Sequence, residues 1–308
     1  MLRSCNRCGE GTCIFVRWRI YNNRMTVQGF HLTSRGAIPL DLNASTLDEW
    51  TGQLSQGFYT TFSTLSSGTR VLGLRAHLQR LYAPAAEAGL RPSVDAPTLR
   101  KQLAEFAKGV LPKETRFRLI LAKDSGYVYV GFQPLIPPPE SVFTDGVHVV
   151  TADMARHDPR IKGTDFIVQS AAQRKLVQGD IYEVLLVHNG GILEGMTSNF
   201  YGVKNVIASG AKQSHNGILI TAQKGILLGV TRRVVLQLAR GQGMSIEYRS
   251  PRLSENFDEA ILTSSSRGVV PIVSIDGRAV GQGRVGERAK TLRKAYQAYV
   301  EERSETIA

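Results

Sequence analysis

Apolar and polar side chains alternate in short runs over the first part of the chain, and turn residues separate the runs. Alternation over residues 14–21, a turn at Asn22-Asn23 and an apolar stretch at Met25–Leu32 predict two strands. Residues 44–56 predict a short helix with Ser45 as its N-cap, because an acidic residue follows three positions later.

Strands and helices continue to alternate up to residue 133. The β-branched and aromatic run at Gln56–Leu65 predicts a strand, and apolar positions at helical spacing from Leu74 predict a helix. In order, we expect strands at 56–65 and 70–74, helices at 74–89 and 95–109, and a hairpin with strands at 115–121 and 127–132.

A proline cluster follows at Pro134 and Pro137–Pro139, and it is the only one in the chain. Such a segment is stiff and cannot be helical, so we place the domain boundary there. This predicts an N-terminal extension (1–13), a small α/β domain (14–133), an interdomain linker (134–140) and a larger C-terminal domain (141–308).

Short hairpins and amphipathic helices also alternate in the C-terminal part. Strands are expected at 147–152, 183–188, 192–194, 200–203, 218–222, 245–249, 259–263, 269–275 and 278–280, and helices at 166–178, 230–241 and 287–303. Residues 205–215 interrupt a hairpin and are interpreted as an insertion at a loop tip. Hairpins mixed with helices indicate an α+β (mixed α/β) fold rather than a regular βαβ array.

Composition argues against several classes of protein. With 308 residues, 42% of them hydrophobic, the chain can form a large core. No apolar run reaches the roughly 20 residues that a membrane span needs, and the N-terminus lacks the apolar segment of a signal peptide, so we expect a cytoplasmic protein. Cys5, Cys8 and Cys13 are an odd, clustered set without a second pair, so we expect no disulfide framework and no metal site.

The net charge of +12 is high, but lysine and arginine are scattered rather than grouped in blocks. No aromatic-basic motif of nucleic-acid binding accompanies them, so we do not expect a nucleic-acid partner. We attribute most of the excess to surface charge and the remainder to an anionic substrate and cofactor. A nucleic-acid binder remains an alternative that is supported by the charge alone.

The candidate chemistry centres on Lys162, which follows a turn at Asp158-Pro159 and precedes a helical run. A lysine placed there can lose part of its hydration, which lowers its pKa and makes it a nucleophilic amine. A pyridoxal phosphate enzyme needs such a lysine, an acidic group for the pyridine nitrogen and a phosphate cradle. Glu194 at a strand end, the helix start at Gly229–Arg232 and the serine-rich loop 263–268 could supply the other parts.

Four motifs resemble the class IV fold of pyridoxal phosphate enzymes, over about residues 56–296. This superfamily contains branched-chain and D-amino acid aminotransferases and 4-amino-4-deoxychorismate lyases. The resembling segments are Gly57–Phe62 with His77–Leu81, Arg160-Ile161-Lys162, Glu194-Gly195 through Ser198-Asn199-Phe200, and Gly229–Arg232 with Leu262–Pro271 and Asp276-Gly277. The resemblance implies two domains, a small N-terminal α/β domain and a larger C-terminal pseudo-barrel that binds the cofactor.

The resemblance also implies a role for each matching residue. Lys162 is the Schiff-base lysine and proton shuttle, and Glu194 pairs with the pyridine nitrogen. The implied phosphate ligands are Arg80, Val230, Thr231, Ser265 and Ser266. On the substrate side, Arg118 helps bind the carboxylate and Tyr59 forms an aromatic pocket wall.

One departure concerns the substrate class. Many aminotransferases of the family have a tyrosine four residues after the lysine, which bonds the phenolic oxygen of the cofactor. Phe166 stands there in this chain and cannot donate that hydrogen bond.

The leading hypothesis is an aminotransferase acting on an amino acid and a 2-oxo acid, and the alternative is 4-amino-4-deoxychorismate lyase, which releases pyruvate. A non-catalytic binding protein of the same fold is a third possibility. Family resemblance further implies a homodimer.

Overall fold

A computed structural model describes residues 26–205 and 217–307. The predicted extension at 1–13, the first predicted strand and nearly all of the predicted insertion lie outside the described residues. The strands are β1 Gln28–Thr33, β2 Gly36–Pro39, β3 Gly57–Leu65, β4 Arg70–Val71, β5 Thr115–Ala122, β6 Val128–Pro134, β7 Val147–Asp153, β8 Ile181–His188, β9 Gly191–Gly195, β10 Asn199–Lys204, β11 Ile218–Thr221, β12 Ser245–Tyr248, β13 Glu259–Ser264, β14 Gly268–Ile275, β15 Arg278–Ala279 and β16 Glu305–Thr306. The helices are α1 Leu47–Gly52, α2 Leu74–Glu87, α3 Ala96–Val110, α4 Ser141–Thr144, α5 Asp165–Gln169, α6 Ala171–Arg174, α7 Val230–Gly241 and α8 Glu287–Arg303.

The first sheet has the strand order β16-β4-β3-β5-β6-β1-β2, and its pairs are antiparallel. Alternate residues of a strand face opposite sides. Phe58 and Phe62 on β3 therefore join one core with the apolar faces of α2 and α3. Tyr59 faces the other side, where it packs in a second cluster with Trp50 of α1.

The second sheet has the order β12-β11-β10-β13-β14-β7-β8-β9, with β15 added to β14. Its β7–β8 and β7–β14 pairs are parallel, and the β8–β9 and β10–β13 pairs are antiparallel. Helices α7 and α8 pack on one face around Tyr201, Val235 and Leu292. The two sheets with their separate cores confirm the expected mixed α/β architecture, whereas the predicted domain boundaries stay a prediction.

Three local predictions were wrong. The N-cap of α1 is Thr46, whose hydroxyl accepts from the Glu49 amide, and Ser45 instead donates to the Glu49 carboxylate. The helix expected at 166–178 is divided into α5 and α6 at Ser170 and ends at Arg174, and the Phe166 carbonyl accepts from both the amide and the hydroxyl of Ser170. The strand expected at 70–74 ends at Val71, because Leu74 begins α2.

Neither a membrane span nor a metal cluster is found in the part of the chain that the structure describes. None of its helices is both long and apolar enough to cross a bilayer. No group of three or more His, Cys, Asp or Glu side chains within 26–205 and 217–307 could hold a metal ion.

Candidate active site

A cavity of about 590 Å³ lies where the two sheets meet. Strands β3, β5 and β6 of the first sheet line it on one side, and β9, β10, the β13–β14 turn and the start of α7 line it on the other. The proline-rich segment 134–139 also contributes to the wall. The cavity brings together all nine residues singled out from the sequence, namely Tyr59, Arg80, Arg118, Lys162, Glu194, Val230, Thr231, Ser265 and Ser266.

Lys162 is held in place by backbone hydrogen bonds to the start of β3. Its carbonyl accepts from the Tyr59 amide at 2.8 Å, and the Thr164 amide donates to the Gly57 carbonyl at 2.9 Å. The Thr164 hydroxyl accepts from the Gly57 amide at 2.9 Å. These three bonds fix the lysine segment against the first sheet, so the Lys162 amine lies 4.8 Å from the centre of the Tyr59 ring.

The Lys162 side chain is partly buried and surrounded by positive charge. Burial is the largest influence that lowers its pKa well below the usual value, and the guanidinium groups of Arg80 and Arg118 lower it further. Among the described residues no carboxylate forms an ion pair with this amine. The arrangement favours the neutral, nucleophilic form of the amine.

Glu194 is the penultimate residue of β9 and is only 2% exposed. One carboxylate oxygen accepts from Arg156 Nε at 2.5 Å, and the other accepts from the Leu227 amide at 3.1 Å and from Asn199 Nδ2 at 3.5 Å. Burial raises the pKa of Glu194, while Arg156 acts in the opposite direction. A carboxylate offers about four acceptor sites, so one site remains for a ligand donor.

Arg80 and the start of α7 also line the cavity. Arg80 projects from α2 and donates through Nη2 to the Leu228 carbonyl at 2.5 Å, just before α7. Burial lowers the pKa of Arg80 to about 10, so the group remains charged at neutral pH. Val230 and Thr231 occupy the first turn of α7, where amide groups lack helical partners and the helix dipole favours an anion.

Ser265 and Ser266 lie in the turn between β13 and β14, and this turn reaches the same cavity. The neighbouring Arg267 is anchored by a 2.8 Å ion pair to the buried Glu183 and a bond to the Thr197 hydroxyl. The turn therefore presents hydroxyl and amide groups from a fixed position on the second sheet.

Arg118 and Tyr59 form the wall contributed by the first sheet. Arg118 is 5% exposed and sits 5.0 Å from the Tyr59 ring centre. Its Nη1 donates to the Leu47 carbonyl, to Thr51 and to Asp48, and its Nε donates to Thr61. Most of its hydrogen-bonding capacity is therefore directed to the protein.

Four arginines in the cavity were missed from the sequence, namely Arg116, Arg156, Arg174 and Arg267. Arg156 bonds Glu194 and lies 3.6 Å from the Phe166 ring centre, yet it comes from an irregular segment whose pattern gives no signal. Arg174 pairs with Asp48 from α6, which was expected to be part of a longer helix. Arg116 could have been found, because it precedes Arg118 by two positions on a predicted strand and must share its face.

Comparisons with known proteins agree with this geometry. The family model for class IV amino-transferases matches residues 57–275. A D-alanine aminotransferase of Bacillus licheniformis is 30% identical over 244 residues, which is 73% of this chain and 81% of that protein. A branched-chain-amino-acid aminotransferase of Pseudomonas aeruginosa is 25% identical over 271 residues, covering 78% and 82%.

Solved structures show the same fold. A branched-chain amino acid aminotransferase of Escherichia coli superposes with a TM-score of 0.68 at 16% identity, covering 90% of this chain and 94% of the other. A hypothetical aminotransferase from Mycobacterium tuberculosis in a PLP-bound form gives 0.67 at 22% identity, covering 89% and 99%. The chain belongs to the class IV aminotransferases, which are pyridoxal phosphate enzymes.

Proposed function

We propose that the protein binds pyridoxal 5'-phosphate in this cavity and transfers an amino group between an amino acid and a 2-oxo acid. The observation that carries the proposal is the pair formed by Lys162 and Glu194. A partly buried amine without an acidic partner and a buried carboxylate with a spare acceptor site line one cavity. Arg80 and the start of α7 lie in the same cavity and supply the anion site that a phosphate group requires.

The cavity lining fits the chemistry of this cofactor. Arg80 is partly buried and has no carboxylate partner among the described residues, so its guanidinium favours an anionic ligand. Gly229 precedes the helix that would take the phosphate, and a Cβ at Gly229 would lie 2.3 Å from Asn199 Oδ1. The chain can therefore pass Asn199 closely enough to start α7 at the cavity wall.

Each residue then has a distinct task. Arg80, Val230, Thr231, Ser265 and Ser266 would hold the phosphate, and Glu194 would hold the proton of the ring nitrogen. When bound, the cofactor supplies an aldehyde for covalent attachment and a ring that takes up electron density. Lys162 provides the amine for that attachment and afterwards moves the proton from the substrate Cα. Tyr59 and Arg118 shape the substrate side.

A donor and acceptor panel tests this function. Purified protein supplied with pyridoxal 5'-phosphate is expected to show visible-range absorbance and to transaminate members of a panel of L- and D-amino acids with 2-oxo acids. Lys162→Ala removes the attachment amine and is expected to abolish both signals. Lys175→Ala, which removes an exposed lysine, should retain both signals.

Either of two outcomes would contradict the proposed aminotransferase function. Pyruvate release from 4-amino-4-deoxychorismate without transamination would identify a lyase. Absence of Schiff-base absorbance in the wild-type protein, unchanged in Lys162→Ala, would indicate a binding protein that keeps the fold without its chemistry.

A further inference from the structure

Arg267 joins two segments of the proposed cofactor site that come from different parts of the second sheet. It ends the serine turn, which is the three-residue connection 265–267 between β13 and β14. Its Nη2 donates to Glu183 on β8 at 2.8 Å and to the Thr197 hydroxyl at 2.6 Å. Thr197 lies in the connection between β9 and β10, shortly after Glu194. One guanidinium therefore links the serine turn to the segment that carries Glu194.

Glu183 and Thr197 complete a closed hydrogen-bonded triangle with Arg267. The Thr197 hydroxyl accepts from Arg267 and donates to Glu183 Oε2 at 2.8 Å. Arg267 Nε donates to Ser264 Oγ at 3.0 Å, which also holds the side chain against its own turn. Glu183 is 2% exposed, so its carboxylate depends on these donors. Buried polar networks that are satisfied in this way make the segments they join rigid.

Asn199 forms the corresponding link for the start of α7. Its Nδ2 donates to the Leu227 carbonyl at 2.7 Å, and its Oδ1 accepts from the Gly229 amide at 3.2 Å. The start of α7 is therefore fixed to β10 through Asn199, and the serine turn is fixed to the same region through Arg267. Since the phosphate is proposed to bind both segments, both links are needed for its ligands to converge on one point.

We propose that Arg267 is a positioning residue for the cofactor phosphate. Its Nε and Nη2 are directed to protein groups, so the serine hydroxyls and amides of the turn, rather than these guanidinium donors, would contact the phosphate. The triangle with Glu183 and Thr197 sets the distance between the phosphate end of the site and the end where Glu194 holds the ring nitrogen. The inference rests on the proposed binding of pyridoxal 5'-phosphate, and it specifies which group allows the phosphate to contribute to cofactor affinity.

The test compares pyridoxal 5'-phosphate with pyridoxal, which has the same ring and aldehyde and lacks the phosphate. Protein from which the cofactor has been removed is titrated with each compound, and the two dissociation constants are measured by absorbance. Arg267→Lys keeps the charge beside Glu183 but loses the planar fork of donors. Arg267→Met combined with Glu183→Gln removes both charges, so that no unpaired buried carboxylate remains.

Arg249 provides matched controls, because it also holds a carboxylate with two donors. Its Nη1 and Nη2 donate to Glu255 at 2.8 and 2.7 Å, and it is not among the residues that line the cavity. Arg249→Lys, and Arg249→Met combined with Glu255→Gln, repeat the same chemical changes away from the cofactor site. Both controls should match the wild type for both compounds.

Loss of the charge-assisted contacts should allow the serine turn to shift, so the dissociation constant of pyridoxal 5'-phosphate should rise about 10-fold in the double variant at Arg267 and Glu183. The rise should be smaller in Arg267→Lys, which retains part of the network. The dissociation constant of pyridoxal should stay close to the wild-type value in both variants, because Lys162 and Glu194 are unchanged. The preference for the phosphorylated compound should therefore fall about 10-fold in the double variant.

Two results in the double variant would overturn the inference. One is a wild-type preference for the phosphorylated compound, and the other is an equal rise of both dissociation constants, which would show that the substitutions loosen the whole cavity. If the double variant does not fold, a wild-type preference in Arg267→Lys decides against the proposal.

Failure of this inference can be distinguished from failure of the proposed function. A wild-type protein that prefers pyridoxal 5'-phosphate, with Arg267 variants that keep the full preference, removes this inference alone. A wild-type protein that binds pyridoxal as tightly as its phosphate ester has no phosphate site, and this result removes the proposed cofactor binding as well.

Discussion

At the scale of single residues, Lys162 combines partial burial with the absence of an acidic partner among the described residues. This combination lowers the free energy of unfolding of the cofactor-free protein. Its pKa is lowered in the folded state, so the unfolded chain binds the proton more tightly. Stability therefore rises with pH up to the unfolded value of about 10.4. We predict that Lys162→Met is more stable than the wild type at pH 7 and that this advantage shrinks at pH 9, as measured by urea denaturation without cofactor.

The same substitution should reduce transamination by at least about 10²–10⁴-fold, since it removes the attachment amine and proton shuttle. Lys175→Met, at an exposed position, is the matched control and should change neither stability nor rate. A Lys162→Met protein that is less stable than the wild type at pH 7 would show that the amine is charged and favourably solvated in the fold.

For Glu194 we predict that substitution lowers the free energy of unfolding. Glu194→Gln leaves Arg156, 6% exposed, without its carboxylate, and breaking such a buried pair costs about 3–5 kcal/mol of unfolding free energy. The ring nitrogen of the cofactor would also lose its acidic partner, so the rate should fall even where the cofactor is retained. Chemical denaturation and the absorbance spectrum measure the two effects.

A double variant separates the loss of the pair from other effects of the substitution. Adding Arg156→Met removes the unpaired charge and should restore part of the stability lost in Glu194→Gln. Equal stability of Glu194→Gln and the wild type would contradict the view that the ion pair supports this wall of the cavity.

At the scale of elements, the contact between the lysine segment and β3 places the amine. Thr164→Val removes the acceptor of the buried Gly57 amide, and an unsatisfied buried donor costs about 1–3 kcal/mol. The segment should then shift relative to Tyr59, which lowers the rate as well as the denaturation midpoint. Thr164→Ser keeps the hydroxyl and should behave like the wild type. Loss of activity in Thr164→Ser would show that the methyl group, not the hydrogen bond, places the segment.

Strands and long helices could be predicted from the sequence because their patterns are local. β3, α3 and α7 lie within a few residues of their expected bounds, since alternation or helical spacing continues through each of them. The break between α5 and α6 at Ser170 could not be predicted, because the apolar pattern of the segment gives no sign of it.

In the candidate site, residues that stand in local motifs could be predicted from the sequence, whereas pairs of residues far apart in the sequence could not. Lys162 and Glu194 stand in motifs that can be recognised from their immediate neighbours. The Arg156–Glu194 pair joins residues 38 positions apart, and the Arg174–Asp48 pair joins residues 126 positions apart. Neither residue type nor sequence spacing indicates such pairs. They form only in the folded structure, where the two sheets meet at the cavity.

At the scale of the whole molecule, the positive charge is not confined to the exterior. The cavity carries arginines from both sheets and their connecting segments, and two of these arginines lack a carboxylate partner among the described residues. The expectation from the sequence that part of the net charge of +12 serves an anionic substrate and cofactor stays a prediction.

The protein is also predicted to form a homodimer, on family resemblance and on one surface feature. Three exposed apolar side chains, Val168 at 66%, Leu176 at 43% and Val177 at 40%, lie within ten residues that follow the lysine segment. Clustered exposed apolar residues are typical of interaction surfaces. We expect light scattering of the cofactor-loaded protein to give twice the chain mass, and Val168→Glu with Leu176→Glu to shift it toward the monomer. Ile38→Glu, at a 53% exposed position on β2, should leave the dimer intact, and a cofactor-loaded wild-type monomer would contradict the prediction.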